Sequence, residues 1–222
     1  MFYPISCIHY ILYLYNYFIM SLEIDMALQK QAKTINKHQV KAVVDYLNTT
    51  RNPHRNKLMF YLSLYAGLRA IEIAKLTWAM VLRSDGSLDD YIRLTNIASK
   101  GKTGGRIIPV HRKLSICIAE WLTELGGNPS PDAFIITTER GNQTTAQVIT
   151  NFFHHTYKKL GYEGCSGHSG RRTFADNVLR KIGEVGGTIV EVKELMGHSS
   201  VATTQRYITY NKKSADAVMK LI

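Results

Sequence analysis

Acid is scarce in this chain, and cysteine is scarcer. Its 222 residues hold 17 Asp and Glu against 28 Lys and Arg, a formal net charge of +11. The three cysteines, Cys7, Cys117 and Cys165, stand far apart and form no Cys-x-x-Cys pair. That argues against a disulfide framework and a zinc site, and it fits a reducing cytosol. Cys165 reads as a small half-buried residue rather than a reactive thiol. No cluster of Asp and Glu is available to hold catalytic Mg²⁺, so metal-dependent nuclease chemistry lacks its ligands. The stretch "SKGKTGGR" is Gly-rich but has neither the GxxxxGK[ST] spacing nor a helical pattern after it, which excludes a P-loop. His154 and His155 are adjacent, diverge on a helix and have no third ligand nearby, so they do not suggest a metal site. No internal repeat is visible.

Residues 1–20, "MFYPISCIHYILYLYNYFIM", contain no Asp, Glu, Lys or Arg. The run is barely long enough to span a bilayer, and Pro4, Ser6, His9, Asn16 and five tyrosines interrupt it. It lacks the basic start and small-residue cleavage site of a signal peptide. The expectation is that residues 1–35 form an N-terminal extension, its apolar run 1–20 non-native or dispensable and the rest a polar lead-in. The segment "MALQKQAKTIN" reads as a more natural start, and no stable membrane association is expected. A membrane-associated protein is the alternative resting on residues 1–20 alone.

The hydrophobic fraction of 45% is enough for a core. The positive excess lies beyond residue 50, because residues 1–50 set four lysines against Glu23, Asp25 and Asp45. A folded domain of that charge attracts polyanions, nucleic acid foremost, though a merely soluble basic protein has the same composition.

The chain beyond residue 35 reads as one mainly helical α+β domain, residues 36–222. Asn36 is placed to cap a helix carrying Val40, Val43, Val44 and Leu47. "KLMFYLSLYAGL" is apolar on nearly all sides, as in a buried helix. "AIEIAKL" continues helically after Gly67. Short β-rich runs split by "SDGS" and "KGKTGG" read as a small three-stranded antiparallel sheet. "RKLSICIAEWLTELGG" returns to helix, "FIITT" is a short extended piece, and "TTAQVITNFFHHTYKKLG" is an amphipathic helix ending at Gly161. Helical patterns with glycine breaks fill the remainder.

Four places combine polar residues with helix starts or turns. In "GLRAIEI", Arg69 is set among apolar residues, and Glu72 lies on the same helical face. Taken alone, an Arg–Glu pair closing a helical turn is the plainer reading. "SKGKTGGR" carries Lys100 and Lys102 at a hairpin tip, where a solvated basic turn is the plain reading. In "GHSGRRTFADNVL", His168 and Arg171 are spaced i, i+3 at a helix start, a place that favours anions. A capped surface helix is the alternative. In "LMGHSSVATTQRYITY", His198 follows a glycine break and Tyr207 lies nine residues on. Together these residues make a cation-rich set with one hydroxyl nucleophile. Two arginines can neutralise a phosphoryl transition state without metal. A tyrosine among cations can attack, and a lysine can protonate a leaving hydroxyl.

From about Asn36 to Ile222 the chain resembles the catalytic domain of the tyrosine recombinases, the phage-integrase family. "GLRAIEIAKL", "HSGRRTFA" and "LMGHSSVATTQRYI" are similar to that family's three boxes, in its order. The resemblance implies DNA strand breakage and rejoining through a 3′-phosphotyrosyl link, with no metal, ATP or other cofactor. It gives Arg69 and Arg171 the role of phosphate clamps, with Glu72 supporting. His168 takes a proton-transfer role, His198 a hydrogen bond to the scissile phosphate, and Tyr207 the nucleophilic attack. Lys100 matches the family's hairpin lysine through "SKG", with Lys102 as the alternative. Family members usually carry a separate helical core-binding domain at the front, and little or none is expected here.

The implied partners are double-stranded DNA and copies of the same chain, a tetramer docked through the amphipathic tail "NKKSADAVMKLI". The expected setting is a bacterial or phage-encoded cytoplasmic protein. Arg69, Lys100, Lys102, Arg106, Arg171 and Arg172 are expected DNA contacts. So are Gln147, Asn151 and Lys158, which share a helical face with His154. Two other readings remain open: a type IB topoisomerase-like enzyme, and a non-catalytic DNA-binding regulator of recombination.

Overall fold

A computed structural model describes residues 31–99, 105–205 and 207. The first helix, α1 (Lys37–Asn48), starts at a reciprocal cap. The Asn36 side chain accepts from the Gln39 amide, and the Gln39 side chain accepts from the Asn36 amide. Val43 and Leu47 form its buried face. Helix α2 (Pro53–Tyr65) opens on proline, whose missing N–H is unneeded at a helix start. Leu58, Met59, Phe60, Leu62 and Leu64 are all buried, as the all-round apolar pattern predicts for a central helix. The chain then turns at Gly67 (φ 63°) into the short helix α3 (Ala70–Lys75).

The sheet is antiparallel and small, as expected, but it has two strands rather than three among the described residues. β1 (Tyr91–Leu94) pairs with β2 (Arg106–Pro109), Tyr91 opposite Pro109 and Leu94 opposite Arg106. Ile92, Leu94 and Ile108 face the core. Where a further strand was expected, Trp78–Met80 forms one 3-10 turn, followed by a lone bridge between Leu82 and Leu88. The cause lies in burial and hydrogen bonding. Trp78, Met80 and Val81 are all buried, which a one-sided strand does not allow. The amides of Trp78 and Ala79 donate to the carbonyls of Ala133 and Pro131 instead of to a sheet partner. The "FIITT" piece forms no ladder, just two isolated bridges, Thr77 with Phe134 and Thr137 with Gln143, with Ile135 and Ile136 both buried.

Helix α4 (Arg112–Glu124) buries Leu114, Cys117, Ile118 and Trp121 on one face, and the Trp121 indole donates to the Ile135 carbonyl. Helix α5 (Ala146–Lys159) is capped by Thr145 and buries Ile149, Phe153, Thr156 and Tyr157. It ends at Gly161, in the left-handed region. Helix α6 (Ser169–Ile182) packs on α2, and Gly170 permits the approach: a Cβ there would lie 2.6 Å from Ser63 Oγ. Helix α7 (Ile189–Met196) starts at a Thr188–Glu191 capping box and stops at Gly197 (φ 59°). Helix α8 (Val201–Gln205) follows. A second apolar cluster of Ala175, Val192 and Met196 joins α6 and α7, with Phe174 and Tyr207 packed against it.

The lead-in packs on this domain. Ile35 is in the core and its amide donates to Thr173 Oγ1 at 2.8 Å, while the Lys33 amide donates to the Gly164 carbonyl. No helix among the described residues is long and apolar enough to cross a membrane. The apolar run 1–20 and the tail beyond Tyr207 lie outside the described residues, as do Lys100 and Lys102.

Candidate active site

The site is built around one buried acid. Glu72 is 0% exposed, and its carboxylate accepts from two arginines and one amide. Arg69, at the entry to α3, donates its backbone N–H to Oε2 and Nη1 to Oε1, both at 2.8 Å. Arg106, at the start of β2, donates Nη1 to Oε1 and Nη2 to Oε2, both at 3.0 Å. Arg171 Nη1 stands 3.8 Å from Oε2. Burial pushes the Glu72 carboxyl up, but the Arg106 fork, the Arg69 amide and Arg171 outweigh it and hold it below the usual carboxylate range. The acid therefore stays ionised among three guanidiniums.

Backbone carbonyls position the arginines as much as the acid does. Arg171, in the first turn of α6 and 2% exposed, donates to the carbonyls of Gly67 and Met196. Arg69 Nη2 donates to the Gly197 carbonyl at 3.2 Å. Gly67 and Gly197 both adopt positive φ, so each glycine turn delivers a carbonyl to an arginine that an ordinary residue would not. A Cβ on Gly67 would lie 2.5 Å from the Phe174 ring. Burial, and then Arg69, bring the Arg171 guanidinium down to about 10, which still leaves it charged at neutral pH.

His198 stands next to Arg171, with Nε2 3.1 Å from Nη2 and Nδ1 2.9 Å from Thr204 Oγ1. A guanidinium can only donate, so Nε2 accepts and the imidazole proton sits on Nδ1, donating to Thr204. Burial, then Arg171, Arg69 and Arg106, bring His198 down to about 4, so the ring is neutral. Tyr207 stacks on it, ring centres 5.5 Å apart and planes 21° from parallel. The Arg172 guanidinium lies 6.0 Å from the Tyr207 ring centre on its own account and also donates to Gln31 Oε1. His168, exposed at the start of α6, shares with Arg172 and Tyr207 a cleft of about 310 Å³ that Gln31, Ser166 and Thr203 also line.

The structure thus gathers Arg69, Glu72, Arg171, His198 and Tyr207 into one contact chain, with His168 and Arg172 along the cleft. Arg106, expected to face DNA, is instead turned inward: its side chain is 6% exposed and engaged by Glu72 and by the Leu195 carbonyl. Gln147, Asn151 and Lys158 lie exposed on the outer face of α5, where Gln147 donates to Asn151 at 2.8 Å. Sequence reasoning missed Thr204, the partner of His198, because a threonine among threonines carries no distinguishing signal. It also missed Gln31. The two glycine turns fall at breaks visible in the sequence, Gly67 two residues before Arg69 and Gly197 immediately before His198.

The profile described as the phage integrase family matches residues 33–214. The tyrosine recombinase XerC of Mannheimia succiniciproducens is 30% identical over 183 residues, 81% of this chain and 57% of that protein. The tyrosine recombinase XerD of Rickettsia conorii is 24% identical over 199 residues, 85% of this chain and 63% of that protein. The chain therefore spans less than two thirds of the length of either relative. Among solved structures, the XerA recombinase is similar with a TM-score of 0.66 and 20% identity, over 86% of this chain and 63% of that one. The Tn1549 transposon integrase, solved with transposon right end DNA, is similar with a TM-score of 0.66 and 18% identity, over 85% and 65%.

Proposed function

The chain belongs to the phage integrase family, and from that membership we propose that it is a site-specific recombinase acting on double-stranded DNA. The observation that carries the proposal is the contact chain Arg69–Glu72–Arg171–His198–Tyr207, which links a phenol through one imidazole to two fixed arginines. In the proposed reaction the Tyr207 oxygen attacks the scissile phosphorus. The bond from phosphorus to the 5′ oxygen breaks, and a 3′-phosphotyrosyl link forms. The phenolic proton passes to His168, and the departing 5′ oxygen takes a proton from Lys100 or Lys102. Reversal by a 5′-hydroxyl from another strand rejoins the DNA, and the phosphodiester energy is conserved.

Arg69, whose side chain is 21% exposed, meets the phosphate first, with Arg171 behind it. His198 orients Arg171. It hydrogen-bonds the phosphate only after its Nε2 gives up Arg171 and gains a proton. Arg172 and the outer face of α5, with Gln147, Asn151 and Lys158, supply further DNA contacts. The tail docks on a neighbouring copy in a tetramer on DNA, and the protein works in the cytoplasm.

A nicked suicide duplex tests the proposal. Wild type should form a denaturation-resistant adduct. Tyr207→Phe should bind DNA and form none, and Tyr210→Phe should still form it. A wild type that forms no adduct on any duplex, its own flanking DNA included, points to the non-catalytic regulator. Relaxation of supercoils without strand exchange between two sites points to the topoisomerase-like reading.

A further inference from the structure

We propose that Arg106 is a positioning residue, which locks the acid that holds Arg69 to the turn that carries His198 and does not itself contact DNA. The inference rests on the recombinase reading. Arg106 joins three elements. From β2 it reaches α3 through both oxygens of Glu72, and it reaches the end of α7 through Nε and the Leu195 carbonyl at 2.8 Å. That carbonyl is one of the last in its helix, with no intrahelical partner and at the negative end of the helix dipole, so a cation is favoured there.

The turn beyond α7 is packed flush on the same guanidinium. A Cβ on Gly197 would lie 2.8 Å from Arg106 Nη1. The Gly197 carbonyl in turn receives Arg69, and the next residue is His198. Displacing Arg106 therefore shifts Arg69 and His198 together. The same residue begins β2, the strand that follows Lys100 and Lys102 in the chain. A planar fork can serve a carboxylate edge and a carbonyl at once, and an ammonium cannot. Lysine at 106 keeps the charge and loses the geometry.

The test measures DNA affinity, its salt dependence and the rate of adduct formation on the nicked suicide duplex, for wild type, Arg106→Lys and Arg106→Gln. All rates are taken well below each protein's melting temperature, so that a loss of stability alone leaves the rate per folded molecule unchanged. Both variants should bind DNA within about two-fold of wild type, with an unchanged salt slope, as expected of a residue that neutralises no phosphate. Both should form the adduct about 100-fold more slowly, the scale of a misplaced reacting group. If Arg106→Gln does not fold, Arg106→Lys alone decides. An adduct rate equal to wild type in Arg106→Lys overturns the inference. So does a weaker, less salt-dependent binding of Arg106→Gln that lysine restores together with the rate, because Arg106 is then a phosphate contact. A wild type that forms no adduct sinks the recombinase reading and this inference with it. A reactive wild type beside equally reactive variants sinks this inference alone.

Discussion

Glu72 and Arg171 approach to 3.8 Å without a hydrogen bond, although both are buried in the same cluster. Arg171 is held instead by the carbonyls of Gly67 and Met196 and by the His198 ring. Its place depends on the shape of the guanidinium more than on its charge. Arg171→Lys should therefore lose stability by about 2–4 kcal/mol, since several partners of a buried fork go unmet. Urea titration checks this, and adduct formation should be lost in parallel. A variant as stable as wild type contradicts the carbonyl anchoring.

Removing the acid has a different signature. Glu72→Gln leaves Arg69, Arg106 and Arg171 facing one another without a counter-charge. Breaking a buried ion pair from one side costs about 3–5 kcal/mol. The protein should melt earlier, yet its affinity for DNA at low salt should not fall, because the variant is one charge more positive. Thermal unfolding alongside filter binding separates the two effects.

His198 sets a pH dependence of stability. Its folded value of about 4 lies below the ordinary histidine value, so the unfolded chain binds the extra proton first as pH falls. The stabilisation is complete above pH ~6.5 and is lost progressively toward pH ~4. Denaturant unfolding from pH 7 to 4.5 should show that slope. In His198→Gln, which cannot titrate, the slope should shrink, and an unchanged slope would assign it to other groups.

Gly67→Ala meets two obstacles: a positive φ and the Phe174 ring. The left-handed conformation costs roughly 1–2 kcal/mol in an L-residue, and overpacking adds roughly 1–3 kcal/mol. The single variant should be destabilised by both. The double variant Gly67→Ala/Phe174→Leu should recover only the packing part. Full recovery would mean that the backbone conformation is unimportant.

The outer face of α5 offers a test of DNA contact away from the chemistry. Lys158→Ala should weaken binding to all duplexes alike and lower the salt slope by about one. Gln147→Ala should change the preference among sequences more than the salt slope, since amides read base edges. Binding equal to wild type in both variants, in affinity, salt slope and sequence preference, would remove α5 from the interface.

Much of this arrangement was legible in the chain. The all-round apolar run gave α2, the Asn36 cap gave α1, and three short boxes carried Arg69, His168, Arg171, His198 and Tyr207. What was not legible came from tertiary packing. Trp78 and Met80 carry β-like side chains, but their burial on both sides and the carbonyls of Pro131 and Ala133 wind them into a 3-10 turn. Arg106 looked like a hairpin cation facing outward. Its inward turn is set by Glu72 and by the end of α7, both distant in sequence, which no local pattern encodes. The tautomer of His198 likewise depends on Arg171 and Thr204 meeting it from two sides.

The buried cluster has an electrical consequence. Three guanidiniums around a single carboxylate, beside a neutral imidazole, leave a net charge of +2 in the middle of the site. The folded state bears that repulsion at all times, and a phosphodiester settling against Arg69 relieves part of it. On the proposed reading, DNA is then a component of the fold's stability as well as a substrate. At a hundred times its dissociation constant it would add about 2.7 kcal/mol by mass action. The melting temperature becomes a gauge of occupancy, readable even in a Tyr207→Phe protein, which lacks the proposed nucleophile.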